Sequence, residues 1–226
     1  MRKKIFLVTL LTLFLTSIAY AGPLKDFSPG KTAVEVGGLR SDVKISGSGV
    51  SEKFDEKYNM NWGVTTGLGG NFALQYKGFT AKGKGTYIPA ANLDGTAKLN
   101  HHELNLLYKL FKTDNVFLYT FAGMARDKGS VKIAGTRFSS DSKNNWQAGV
   151  GGTVKIARKL DLFASVGAGN RVLNWKAGLS YALNKNFDID VFYSYYKVKK
   201  LSGENFIGNK FDGSSKGIGL GLTFKF

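Results

Sequence analysis

The sequence predicts an all-β chain, an antiparallel up-and-down barrel of ten strands that crosses a membrane, with eight strands as the alternative. Three observations predict it. Apolar and polar residues alternate with period two over long stretches, which sends successive side chains to opposite faces of a strand. These stretches run about ten to twelve residues, the length a tilted strand needs to cross hydrocarbon and about twice that of a soluble strand. The links between them alternate between short and long, as in barrels with turns on one side of a membrane and loops on the other.

The predicted strands are 32–46, 58–69, 72–86, 96–110, 116–127, 144–156, 160–168, 173–183, 187–198 and 216–226. In the second, Tyr58, Met60, Trp62, Val64, Thr66 and Leu68 oppose Asn59, Asn61, Gly63, Thr65 and Gly67. In the sixth, Trp146, Ala148, Val150, Val154 and Ile156 oppose Gln147, Gly149, Gly151, Thr153 and Lys155. In the eighth, Leu173, Trp175, Ala177, Leu179, Tyr181 and Leu183 oppose Asn174, Lys176, Gly178 and Ser180. The ninth sets Phe187, Ile189, Val191, Tyr193 and Tyr195 against Asp188, Asp190 and Ser194. The last sets Ile218, Leu220, Leu222, Phe224 and Phe226 against Gly217, Gly219, Gly221, Thr223 and Lys225. One face is greasy and aromatic, the other small and polar.

Short turns fall at 69–71, 111–115, 157–159 and 184–186; longer polar links fall at 47–57, 87–95, 128–142 and 199–215, with a shorter one near 169–172. Nine connections make ten strands; the link at Gly169, Asn170 and Arg171 is the one on which the eight-strand alternative rests. An even count puts both ends of the chain on the short-turn side. The barrel has to close, because bare strand edges cannot sit in hydrocarbon. Phe72, Tyr108, Phe117, Tyr181, Phe187 and Phe224 lie near the short turns, and Tyr58, Trp62, Trp146, Trp175, Tyr193 and Tyr195 toward the longer links. These are the two aromatic girdles expected where rings meet headgroups.

The N-terminus sets the compartment. Arg2, Lys3 and Lys4 precede an apolar run from Ile5 to Leu15, followed by Ala19, Tyr20 and Ala21. This is a secretory signal peptide with cleavage expected before Gly22; it is too short for a membrane anchor. Removing residues 1–21 leaves 205 residues and lowers the formal charge from +16 to +13. Residues 22–30 are expected as a periplasmic N-terminal segment and 31–226 as the barrel. The chain has no cysteine, so it is not a disulfide scaffold. No stretch after the signal is long and apolar enough for a membrane helix.

Three segments carry a likeness: the hairpin from Trp146, Gln147, Ala148 and Gly149 to Leu162 and Phe163; the hairpin from Ala177 to Tyr195; and the end from Gly219 to Phe226. They resemble the small outer-membrane β-barrel family of OmpA-type transmembrane domains and opacity-type porins. That resemblance implies a bacterial outer-membrane location. It also implies that a last strand finishing on Phe224 and Phe226 is the signal read by the barrel-assembly machinery.

Parity points Glu35, Lys77, Glu103, Lys109, Lys155, Asp161, Lys176, Asp188, Asp190 and Lys225 into the lumen, five acids and five bases. A balanced set fits salt-bridged packing better than a single-sign filter, so a plugged lumen is favoured over a conducting one. His101 and His102 are the only histidines. His101 should face the lumen with Glu103, which keeps a membrane-embedded hydrolase as a remote alternative; no Asp-x-His or His-x-Ser motif accompanies it. The glycines at 149, 151 and 152 and at 217, 219 and 221 open no helix, so they are not phosphate loops; they leave room for larger inward neighbours. No metal cluster and no cofactor motif stand out.

Excess positive charge gathers on the outer links, +8 in sum. Lys128, Lys132, Arg137, Arg171, Lys199, Lys200 and Lys210 are the candidate basic residues there. Lipopolysaccharide phosphates, or another anionic surface ligand, are the expected partners, along with outer-membrane lipid. Nucleic acid is not expected, for want of an aromatic-basic stacking platform. The expected role is structural or surface-interacting, with a narrow porin as the alternative.

Overall fold

The computed structural model describes residues 23–47, 50–88, 93–203 and 210–226. The signal-like stretch 1–21 and the link tips at 48–49, 89–92 and 204–209 lie outside the described residues. The strands are β1 (Thr32–Gly47), β2 (Val50–Gly69), β3 (Phe72–Ile88), β4 (Leu93–Lys112), β5 (Val116–Ile133), β6 (Thr136–Ser139), β7 (Lys143–Ala157), β8 (Leu160–Gly169), β9 (Val172–Ala182), β10 (Phe187–Leu201) and β11 (Phe211–Lys225). The ten long ones pair antiparallel with their neighbours, β4 with β5 and β5 with β7. β11 pairs with β1, so the ladder returns on itself. Short β6 folds back on β5 through Ala134 and Gly135, both at positive φ (46° and 88°), the backbone a tight two-residue hairpin turn needs.

At the short-turn end every predicted strand boundary holds within two residues. At the far end the prediction needs correction. Links 47–57, 87–95, 128–142 and 199–215 were expected as loops, and their described residues are mostly strand; β2 begins at Val50, β5 runs to Ile133 and β11 begins at Phe211. The cause is a change of polarity, not of period. In the near half, Leu106, Val150, Leu179, Val191 and Leu220 face outward and are exposed, while Gln75, Asn105, Gln147 and Thr223 are buried inside. In the far half, Val43, Ile45, Phe54, Ala97, Leu99, Val131, Val198 and Phe211 turn inward and are buried, while exposed Lys44, Lys82 and Lys132 and half-buried Lys98 alternate with them on the outside.

The interior is therefore layered. At the far end those side chains form one apolar cluster, with Tyr196 at its base. The middle is polar, apart from the small group Leu39, Phe163 and Phe192. The near mouth is filled by Leu107, Phe117, Tyr119 and Phe121 together with Leu24 and Phe27 of the N-terminal segment. Phe27 meets Phe117 edge-on at 5.3 Å, and the amide of Gly69 donates to its carbonyl at 2.9 Å. Residues 24–27 thus reach inside the near mouth. The inward glycines are notches for rings: a Cβ at Gly219 would lie 2.2 Å from the Phe192 ring, and one at Gly149 2.5 Å from Phe121.

Candidate functional site

Two arrangements compete for a functional role: the polar middle of the lumen and the cationic wall outside the far half. In the lumen, Glu103 accepts from Nε2 of Gln147 at 2.7 Å and from Nδ2 of Asn105 at 3.0 Å. Gln147 in turn accepts from Asn174 at 2.9 Å. Lys176 lies 3.8 Å from Glu35, with its ammonium 4.2 Å from the centre of the Phe192 ring. Lys77 sits opposite Glu103 on the neighbouring strand. Asp190 accepts from the hydroxyls of Ser180 and Thr223.

The remaining lumen candidates sit nearer the mouth. Asp188 pairs with Lys225, and Asp161 with Lys25 of the N-terminal segment. Burial pulls the Lys25 ammonium below its usual value, against the pull of the Asp161 carboxylate. Lys155 faces Asp161 across β7 and β8, and Lys109 faces Tyr119 across β4 and β5. Glu35, Asp161 and Asp188 each pair with a lysine, and no ring of one sign forms among the described residues.

His101 is 3% exposed. Its Nδ1 lies 2.9 Å from Asp127 and its Nε2 3.1 Å from Glu103. Asp127 is fully buried and also accepts from Nδ2 of Asn145 at 2.8 Å and from the Tyr196 hydroxyl at 2.6 Å. Neither ring nitrogen is free to take a proton from a nucleophile, so the imidazole is a structural strut here rather than a general base. Asp127 is the residue the sequence reading missed: it stands last in the predicted strand 116–127, whereas β5 runs on to Ile133 and buries it. Its odd-numbered parity with Ala125 and Val131 was the available signal.

Outside, the basic residues stand on strand walls rather than on loop tips. His102, Arg126 and Asn144 are cross-strand partners in one outward row over β4, β5 and β7. Lys128 follows Arg126 at the next outward position of β5. Lys82 lies opposite Lys98, and Lys132 opposite Arg137 of β6. Like charges directly opposite are unfavourable. Partial burial and the neighbouring Lys82 and Arg137 hold the Lys98 ammonium below its ordinary value. Among the described residues, the side chains of Lys82, Lys98, Arg126, Lys128, Lys132 and Arg137 have no ion-pair partner.

The other basic candidates lie apart from this wall. The carbonyl of Arg171 accepts from the amide of Lys199. Lys200 has a left-handed backbone (φ 57°), and its amide donates to Asp212 at 3.0 Å. Lys210 is exposed just before β11. Phe224 packs on Phe187 at 4.7 Å, while Phe226 exchanges backbone hydrogen bonds with Thr32.

The family described as outer membrane protein beta-barrel domain matches residues 6–226. The chain belongs to that family. Membership places this outer-membrane barrel in the bacterial outer membrane and makes the exposed apolar band of the near half its lipid-facing surface. Among solved structures it is similar to the outer membrane protease OmpT of Escherichia coli, at 12% identity and a TM-score of 0.58, over 87% of this chain and 96% of that one. It is also similar to Neisserial surface protein A at 19% identity and a TM-score of 0.46, over 87% and 99% of the two chains. The attachment invasion locus protein Ail of Yersinia pestis follows at 15% and 0.44, over 88% and 99%. These likenesses are of fold. No curated protein matches the chain in sequence.

Proposed function

We propose that this outer-membrane barrel is a non-conducting structural and surface-interaction protein whose cationic outer wall engages lipopolysaccharide phosphates. The observation that carries this reading is the reversed far half. Inside, an apolar cluster occupies the bore above His101 and Asp127. Outside, Lys82, Lys98, Arg126, Lys128, Lys132 and Arg137 stand without ion-pair partners among the described residues. Hydrated ions do not cross a packed hydrocarbon layer, and multiple lysines and arginines pair well with phosphate. The reading includes export by a signal peptide cleaved after Ala21, with Phe224 and Phe226 as the assembly signal.

The test is retention of the refolded barrel on immobilised lipopolysaccharide as salt rises. Retention should fall steeply toward 1 M salt, where the screening length is about 3 Å. Binding that ignores salt, or no binding, overturns the electrostatic reading. Planar-bilayer recordings should show no stable steps; large, stable steps would establish the narrow porin instead.

A further inference from the structure

Outside the barrel wall lies a groove of about 510 Å³ between Tyr76, His102, Leu104, Met124, Arg126 and Asn144. Its residues fall in two rows. Leu104 and Met124 are cross-strand partners on β4 and β5, and Trp146 of β7, beside the groove, continues their row. His102, Arg126 and Asn144 are partners in the next outward row of the same three strands. Outward rows are spaced about 7 Å apart along a strand. The lower row is apolar, with Met124 61% exposed, and belongs to the lipid band. The upper row is polar and opens onto the cationic wall through Lys128.

The flank of the groove is also built. A Cβ at Gly78 would lie 3.0 Å from both the His102 and the Trp62 rings, so the missing side chain lets those two rings close over the strand. His102 stacks on Tyr76 at 6.2 Å, and Trp62 meets Tyr76 edge-on at 5.1 Å. The Tyr76 hydroxyl lies 3.4 Å from Nδ1 of His102. Arg126 and Asn144, by contrast, have side chains without hydrogen-bond or ion-pair partners among the described residues. A guanidinium held over an apolar shelf at the membrane surface fits one kind of occupant: an anionic headgroup covalently joined to acyl chains.

We propose that this groove is a discrete site for one phosphorylated glycolipid of the outer leaflet, of lipid A chemistry. Arg126 and His102 contact a sugar phosphate, Lys128 adds charge one row higher, and an acyl chain lies along Met124 and Leu104. This deepens the lipopolysaccharide reading above and rests on it. It adds that one stoichiometric site exists on the β3–β4–β5–β7 side, rather than diffuse attraction spread over the wall.

Native mass spectrometry of the refolded, processed chain in detergent tests it, with diphosphorylated lipid A as the probe. Folding of each variant is checked by its heat-modifiable gel band. The wild type should carry one lipid A. The double substitution His102→Ala with Arg126→Ala should weaken binding by about tenfold or more, the loss expected for charge-assisted contacts. Removing the phosphates from lipid A should have a similar effect. Lys216→Ala, on β11 across the barrel, should bind as the wild type.

Unchanged binding by the folded double variant overturns the site. If retention on lipopolysaccharide is then lost in a Lys82→Ala, Lys98→Ala, Lys132→Ala, Arg137→Ala variant, the cationic wall stands and the groove alone fails. If no variant and no salt concentration alters retention, both readings fail. Full displacement of lipid A by glucosamine phosphate without acyl chains overturns the glycolipid and makes the occupant a soluble phosphate ester.

Discussion

The near and far halves of this barrel share strands, hydrogen bonding and period, yet they are turned inside out relative to each other. On β4, Leu104, Leu106 and Tyr108 face lipid while Glu103 and Asn105 face the bore. A few residues earlier on the same strand, Leu99 and Ala97 are buried inside and Lys98 is outside. The medium outside decides the difference. Against hydrocarbon the outer face has to be apolar, and the inner polar groups have to satisfy one another. Against water the outer face can carry charge, and burial of apolar side chains holds the wall together. The far half is built like a soluble β-barrel standing on a membrane-spanning one, and the His101–Asp127 network marks the seam.

That seam should give the largest effect. Asp127→Ala strips partners from buried His101, Asn145 and Tyr196. It should cost about 3–5 kcal/mol in urea unfolding from lipid vesicles, as expected for removing one member of a buried charged network. A cost below about 1 kcal/mol would mean the seam does not couple the halves. Leu99→Ala, in the far apolar cluster, should cost about 2–5 kcal/mol by leaving a cavity; a soluble-type core is the only reason for that outcome so far from lipid. A pair of swaps on the outer face then sharpens the contrast. Leu106→Arg, in the lipid band, should cost about 2–4 kcal/mol. Lys98→Leu, farther along the same face, should change stability by no more than about 0.5 kcal/mol. Equal costs for that pair would show that both positions meet the same medium.

The near half was legible in the sequence because its signal is local. Ile218, Leu220, Leu222 and Phe224 alternating with Gly217, Gly219, Gly221 and Thr223 state both period and facing. The far half was misread for a physical reason. Lys128, Gly129, Ser130 and Lys132 look like the start of a polar loop. In the fold the same residues continue β5: a Cβ at Gly129 would lie 2.8 Å from Phe211. That glycine admits a ring from a strand distant in sequence, which no window of ten residues reveals. The lumen charges were placed by parity alone; of them Asp161, Asp188 and Asp190 are buried. Asp127 escaped because the strand was ended at its own position, and its bond to Tyr196 spans 69 residues. The near-mouth packing of Leu24 and Phe27 was invisible for another reason: the segment lies between Pro23 and Pro29 and is too short to show a period.

The reversal itself can be measured directly, because the chain has no cysteine of its own. Single cysteines placed at residues 96–99 and 128–132 would be exposed in intact cells to a membrane-impermeant thiol reagent. Labelling should alternate, fast at Thr96, Lys98, Lys128 and Lys132 and slow at Ala97, Leu99, Gly129 and Val131. Uniform fast labelling through both stretches would show mobile loops where the far barrel should stand, and would contradict the account.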